Sequence, residues 1–405
     1  MNLNKYLGNM LLFLGNHIIL FCTLLLGGVS WACVQQSEFS PPQKPREEKA
    51  EIVIAATGDI MMPLSNQLAA TRNKERYNIL FEKIALDLTS ADITFANLET
   101  PVDHTAPLSG YPKFNARSGL LTALKKAGVG IVSIANNHAM DAKAVGLVRT
   151  IDNIAAAGLL FTGGGRTQAE AGQATIATLH GITTAFLAYT YGTNERMPVK
   201  KRDAPRVDLL RINSEADLAL AAADVRKTRQ STDLVVVSLH WSDEYRTIPT
   251  AWQRRVAAEL IEAGADVILG HHPHVLQPIE SYSARNGRQG LIAFSLGNFI
   301  SSQNYGVASK NRTHRKALRG DGIILRIYVV KEQGKTSVAR AEFVPLWTLR
   351  DRVGKNVVYR PVNLVREIAR LEALEKRTKE DEDTLGLLKF RMKVITDQLT
   401  VKTSP

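Results

Sequence analysis

The chain has 405 residues, 45% hydrophobic and 22% charged, with a formal net charge of +12. This excludes a disordered or low-complexity chain and suffices for a sizeable core in one large domain or two smaller ones. Two cysteines exclude a disulfide-stapled scaffold, and the positive balance suits either plain solubility or attraction to an anionic polymer or surface.

Residues 1–33 carry one charge, Lys5, before a long apolar run (LLFLGNHIILFCTLLLGG). A weakly positive start followed by an apolar stretch is the pattern of a secretory signal. Its length also approaches the roughly 20 residues of a membrane span, so an uncleaved anchor is the competing reading. Cys33 follows Val29-Ser30-Trp31-Ala32, which resembles a lipoprotein processing site with Ser30 where Leu is usual. Lipidation of Cys33, ordinary cleavage and retention all place the body of the protein on the cell-envelope side of the membrane. The other cysteine, Cys22, lies inside the apolar run, so no disulfide is expected in the exported part. Residues 34–50 are polar, contain prolines and lack periodicity, as a tether would.

From residue 51 apolar runs alternate with amphipathic stretches. Strands are expected over 51–57, 93–96, 130–135, 174–180, 184–189, 234–239, 267–269, 291–295, 323–330 and 338–345. Helices are expected over 63–71, 77–88, 118–127, 144–157, 214–228 and 249–263. Gly128, Gly158 and Gly264 fall where a helix C-terminus favours positive φ. Such alternation implies an α/β fold with a largely parallel core, and the late strands suggest a second, partly antiparallel sheet. The expected division is a domain over 51–350 and a helical C-terminal extension over 351–405. The extension carries an apolar stripe, either docked on the domain or used for self-association.

Six polar clusters stand at the ends of apolar runs: Gly58-Asp59, Asn97-Leu98-Glu99, Asn136-Asn137-His138, His240-Trp241, His271-His272-Pro273-His274 and Gly297-Asn298. In an α/β sheet the carboxyl ends of parallel strands open on one edge, where ligands bind. Buried carboxylates and imidazoles need partners or a metal. The donor types suit Zn, Mn or Fe, and a bridging carboxylate can hold two ions as in two-metal hydrolases. A histidine beside a ligand asparagine is placed to protonate a leaving group. Basic residues bunch at 196–206 and 310–319. No aromatic residues interleave with them as in a nucleic-acid surface, so an anionic polymer is the expected partner and nucleic acid is not.

The segments GDIMM (58–62), ANLETPV (96–102), SIANNHAMD (133–141), VVVSLHWSDEY (235–245), GADVILGHHPHVLQPIE (264–280) and FSLGNF (294–299) resemble those of the CapA family. That family is linked to synthesis and export of poly-γ-glutamate capsule and is similar to the calcineurin-like metallophosphoesterases. The resemblance implies a layered sandwich of two central mixed sheets flanked by helices, one or two divalent ions, and a polymer or membrane synthase complex as partner. It implies metal ligation by Asp59, Glu99 (the bridging position), Asn137, His240, His272 and His274, with His138 as the acid. It implies a hydrolase or transferase; a non-catalytic accessory protein on the same scaffold is the alternative. Two departures stand out. The phosphoesterases carry Asp-x-His in their first motif, where this chain has Asp59-Ile60-Met61. The CapA pattern usually has Gly after Trp241, where this chain has Ser242.

Other roles stay open. Asn136 can be a turn former. Glu99 can pair with Arg117. Trp241 can pack a loop, Glu244 and Tyr245 can pack or meet substrate, and Asn298 can hydrogen-bond a ligand histidine. Strand alternation turns His271 away from the side that His272 and His274 share, so it is expected to support the site or pack the core rather than ligate, with direct ligation the alternative. His104, His180 and His314 lack a supporting context and are expected at the surface or in packing.

Overall fold

The structure is a computed structural model describing residues 49–72, 76–197 and 203–399. The apolar run of 1–33, most of the tether, and residues 198–202 of the first basic run lie outside these.

In chain order the elements are β1 (Ala50–Ile60), α1 (Leu64–Arg72), α2 (Ala85–Thr89), β2 (Ile93–Asn97), α3 (Gly119–Lys126), β3 (Val129–Ser133), α4 (Lys143–Ala156), β4 (Leu160–Thr162), β5 (Gly164–Gly165), β6 (Thr175–Leu179), β7 (Ile182–Thr190) and β8 (Arg206–Val207). There follow α5 (Glu215–Arg229), β9 (Leu234–His240), α6 (Ala251–Ala263), β10 (Val267–His271), β11 (Leu276–Ser283), β12 (Gln289–Leu296), β13 (Asn298–Ile300), β14 (Asp321–Glu332), β15 (Lys335–Val353), β16 (Asn356–Asn363), α7 (Leu364–Glu372) and α8 (Lys379–Leu399). One sheet runs β16-β15-β14-β1-β2-β3-β4 with β13 beside β1, and the other runs β11-β12-β10-β9-β7-β6. β1 to β4 are mutually parallel, as are β7, β9, β10 and β12, while both sheets have antiparallel margins. This is the mixed two-sheet sandwich that was expected.

Side-chain alternation builds the layers. Ile52, Ile54, Phe95 and Ile131 face Phe186, Val236, Val267 and Leu269 between the sheets, and Phe95 stacks on Phe186 at 6.0 Å. The alternate residues Ala55, Ala96 and Val132 meet the helices of the first half. Val235, Val237 and Ile268 lie under α5 and α6. Thr250 and Gln253 close a capping box on α6, and Gly128, Gly158 and Gly264 all have positive φ as their positions required.

Two expectations are corrected. The single helix over 77–88 is a 3-10 turn (Tyr77–Leu80) followed by the short α2. The buried side chains there, Tyr77, Leu80, Phe81, Ile84 and Leu88, pack whether or not the backbone stays α-helical. The helical extension begins at Leu364, not at 351: β15 runs to Val353 and β16 pairs antiparallel with it from Leu346↔Asn363 to Val353↔Asn356. The alternation of Val357 and Tyr359 with Val358 and Arg360 is too short and too polar to separate strand from helix by pattern alone. Of the two readings of the tail, docking is the one seen. Leu371, Leu387, Leu388, Ile395 and Leu399 join the inter-sheet core, and Arg391 makes a buried, two-pronged ion pair with Asp321.

Candidate metal centre

Every element that ends in one of the six clusters delivers it to one place. β1 ends in Asp59, β2 leads to Glu99, β3 leads to Asn136-Asn137-His138, and β9 and β10 end in His240 and His271. These are carboxyl ends of parallel strands from both sheets, so the site lies across the mouth of the sandwich. Backbone packs closely there, between the sheets at Gly58 and within the second sheet at Gly270. A Cβ on Gly58 would sit 1.9 Å from the Gly297 carbonyl oxygen, and one on Gly270 would sit 1.9 Å from that of Phe294, so neither position accepts a side chain.

Asp59 is fully buried. Its Oδ1 lies 2.8 Å from Asn97 Nδ2 and 3.1 Å from His271 Nδ1. Its Oδ2 accepts from the His272 backbone N–H at 3.2 Å and lies 3.1 Å from His274 Nδ1. Burial opposes its ionisation, yet the hydrogen bonds from His271 and His274 outweigh it and hold the carboxyl well below its usual range. Glu99 is the opposite case. It too has no exposed surface, but neither carboxylate oxygen has a hydrogen-bond partner. Burial, reinforced by the charges of Asp59, Glu244 and Asp141, pushes its carboxyl well above the ordinary value. His240 Nε2 stands 3.6 Å and His274 Nε2 3.8 Å from Glu99 Oε1.

Two sets of donors converge on Glu99, one with His272 and His274 and one with Asp59 and His240; within each set the ligand atoms lie within 4.8 Å of one another. A carboxylate with two orphaned oxygens among imidazoles is costly unless a cation completes it. The donor chemistry fits a divalent transition ion. The imidazoles are prepared for it: burial, with the neighbouring histidines, pushes His240 well below its usual value, and burial with His274 pushes His272 down to about 3. Both rings are therefore neutral near pH 7. His274 Nδ1 lies between Asp59 Oδ2 and Asn298 Oδ1, each at 3.1 Å. The amide nitrogen of Asn298 donates to carbonyl oxygens of His274 and Arg319, which fixes its oxygen towards the ring. Nδ1 therefore carries the hydrogen and Nε2 offers its lone pair towards Glu99.

Asn137 Oδ1 meets His240 Nε2 at 2.8 Å. Asn136 bonds Asn97 and the Leu98 carbonyl, bracing the β2 end rather than the cavity. Trp241 packs on Phe294 and donates to its carbonyl. Arg117 does not reach Glu99; it donates to the carbonyls of Asp103 and Ala106. His104, His180 and His314 are exposed.

The expected orientation of His271 is corrected. It is wholly buried and points at Asp59. Its Cα is paired with that of His240 in the parallel register of β9 and β10, so the two rings share a side of the sheet. Alternation then fails one residue later, because His272 has φ 90° and His274 φ 55°. The chain turns instead of continuing as a strand, and all three imidazoles gather on one side.

Beside the metal ligands opens a cavity of about 690 Å³ lined by Tyr111, Lys113, His138, Tyr191, Glu244 and His272 among others. His138 Nδ1 is held by Asp141 Oδ2 at 2.7 Å, and that oxygen also accepts from the Phe114 N–H. Asn97 was given no role of its own within the Asn97-Leu98-Glu99 cluster, and Asp141 was not singled out in the sequence. Asp141 had a legible signal, an acid three residues after His138; Asn97 had only its place at a strand end.

The sequence profile of the family described as bacterial capsule synthesis protein PGA_cap matches residues 53–303, the segment that contains every residue of this centre. The chain belongs to that family. It is 30% identical over 312 residues to the capsule biosynthesis protein CapA of Bacillus anthracis, covering 74% of this chain and 71% of that one. It is also 30% identical over 252 residues to the PGA biosynthesis protein CapA of Bacillus subtilis (strain 168), covering 61% and 63%. Among solved structures, the calcineurin-like phosphoesterase YfkN of Bacillus subtilis aligns over 85% of this chain and 100% of that one, with a TM-score of 0.37 at 10% identity.

Proposed function

We propose that this chain is an exported metal-dependent hydrolase or transferase acting on an anionic cell-surface polymer, with poly-γ-glutamate the first candidate. The observation that carries the metal dependence is Glu99, a fully buried carboxylate with both oxygens unpartnered among neutral imidazoles. The polymer comes from the two CapA relatives, and export from the apolar run of residues 1–33. Among the described residues no helix is long and apolar enough to cross a membrane, so attachment would rest with that run or with lipidated Cys33.

Glu99, His240, His272 and His274, with Asp59 and Asn137, would hold one or two ions of Mn, Zn or Fe. Bound there, such ions polarise a phosphoryl or carbonyl oxygen and activate water. Asp59 orients His271 and His274 through its two oxygens. Asp141 holds His138 by Nδ1, which leaves Nε2 as the atom that gives a proton to a leaving group in the cavity. The rings of Tyr191, half-buried, and His272, buried, lie 4.8 Å apart and form one wall of the cavity.

A non-catalytic accessory role is favoured by one observation: Met61, buried, stands where the phosphoesterases have a histidine. Metal analysis and turnover of the purified protein separate the two. Bound Mn, Zn or Fe with cleavage of poly-γ-glutamate or a simple phosphodiester supports the enzyme. Stoichiometric metal without turnover on either supports the accessory protein, and absence of metal uptake refutes the centre.

A further inference from the structure

The second basic run survives into the structure as an organised surface. Lys310, Arg312 and Arg315 are exposed, and Lys316 and Arg319 half-buried, along two consecutive 3-10 turns. Several arginines elsewhere are tied to carboxylates, as in Arg211–Asp217, Arg254–Glu280 and Arg255–Glu215. Among the described residues none of these five cations makes an ion pair. Three lie instead on aromatic faces: Arg312 over Phe390 at 5.1 Å, Lys316 over Tyr305 at 4.1 Å, and Arg319 over Tyr245 at 3.6 Å. Stacking fixes a guanidinium while leaving its in-plane N–H donors free, the geometry that takes a carboxylate two-pronged. The run also has a direction. Its inner end is joined to the metal centre, because the Arg319 carbonyl accepts from Asn298 Nδ2 at 2.9 Å and Asn298 Oδ1 meets His274. Its outer end is bounded by Glu380 and Asp383 of α8, which line the same cavity as Ser309.

We propose that residues 310–319 form a docking track for a linear polycarboxylate, leading to the mouth of the metal centre. The segment lies beyond the family match at 53–303 and is anchored by Phe390 and Arg391 of α8, the latter through the Arg312 carbonyl. The track therefore belongs to the part of the chain that the family profile does not cover. The choice of polymer rests on the reading of the preceding section.

The test is binding of labelled poly-γ-glutamate to the full chain, by fluorescence anisotropy across a salt series, with polyphosphate in parallel. One variant carries Lys310→Ser, Arg312→Ser and Arg315→Ser. A charge-matched control carries Arg76→Ser, Lys125→Ser and Lys126→Ser on the α1–α3 side. The track variant should lose about tenfold or more in affinity at about 0.1 M salt, and its salt slope should fall by about two, as expected for three fewer cations on a flexible polyanion. Its melting temperature and metal content should match those of the wild type, and the control should bind as the wild type does. Equal weakening of both variants would show attraction to net charge alone and overturn the track. Wild-type binding to polyphosphate but not to poly-γ-glutamate would overturn the polycarboxylate, and with it the polymer in the proposed function.

Discussion

Glu99→Gln is the most decisive substitution, because it removes a charge without changing the volume of a site that has no spare room. In the metal-free protein the Glu99 carboxyl keeps its proton at pH values where the unfolded chain has lost it. The folded state then binds more protons than the unfolded one, so stability is present at low pH and is lost as pH rises above the ordinary carboxyl range, by up to about 1.4 kcal/mol per pH unit. His240 and His272 act in the opposite sense. Their folded values are depressed, so their contribution is present above about pH 6.5 and is lost as pH falls below it. The imidazole contribution is common to variant and wild type, so their difference reports Glu99. The difference in unfolding free energy between Glu99→Gln and wild type, both stripped of metal, should grow in favour of the variant as pH rises above the ordinary carboxyl range and level off once the folded carboxyl has ionised. Metal should reverse the order. At a free concentration about a thousandfold above Kd a bound ion adds about 4 kcal/mol, roughly 5 °C in Tm for a domain of this size, and the variant should lose most of that gain. Urea titrations of both proteins at several pH values, with and without Mn or Zn, supply every quantity. A variant that keeps the full metal-induced shift would refute the assignment of Glu99 as the shared ligand. A variant less stable than wild type throughout, when metal-free, would refute the claim that the carboxylate is uncompensated.

The other expectations follow from single contacts. Asp141→Asn should lower kcat about a hundredfold or more through loss of the His138 orientation, with metal content unchanged by elemental analysis; a loss of metal instead would mean Asp141 supports the ligand set. Ser242, at φ 75°, pays about 1 kcal/mol for a left-handed conformation that glycine adopts freely. Ser242→Gly should therefore raise stability by about 0.5 kcal/mol after the entropy cost of glycine, and a clear drop in urea midpoint would refute this. Arg391→Met strands Asp321, which burial already pushes up to about 7 against the pull of Arg391. A cost of about 3–5 kcal/mol is expected, with most of it restored when Asp321→Leu is added; failure of the second change to restore stability would place the loss in packing of α8.

Much of this protein is set by local sequence. The parallel strands, the positive-φ glycines after α3, α4 and α6, and the polar clusters at strand ends follow from hydrophobic period and from what a strand end must do with a polar residue. That Asn298 would brace a ligand histidine could also be expected from its place in Leu-Gly-Asn-Phe. What the tertiary structure decided lies where backbone conformation departs from its local rule. Alternation puts His271 on the wrong side because it assumes the strand continues through His272, and two left-handed residues end it there. Asn97 becomes a partner of Asp59 and His240 only when the ends of β1, β2 and β9 are brought together. Arg117 is drawn away from Glu99 by the carbonyls of a loop whose path no pattern in the chain reveals. The residue types suited to a metal site are written in the sequence, but which of them face each other depends on the packing of one sheet against the other, and that is a property of the whole chain.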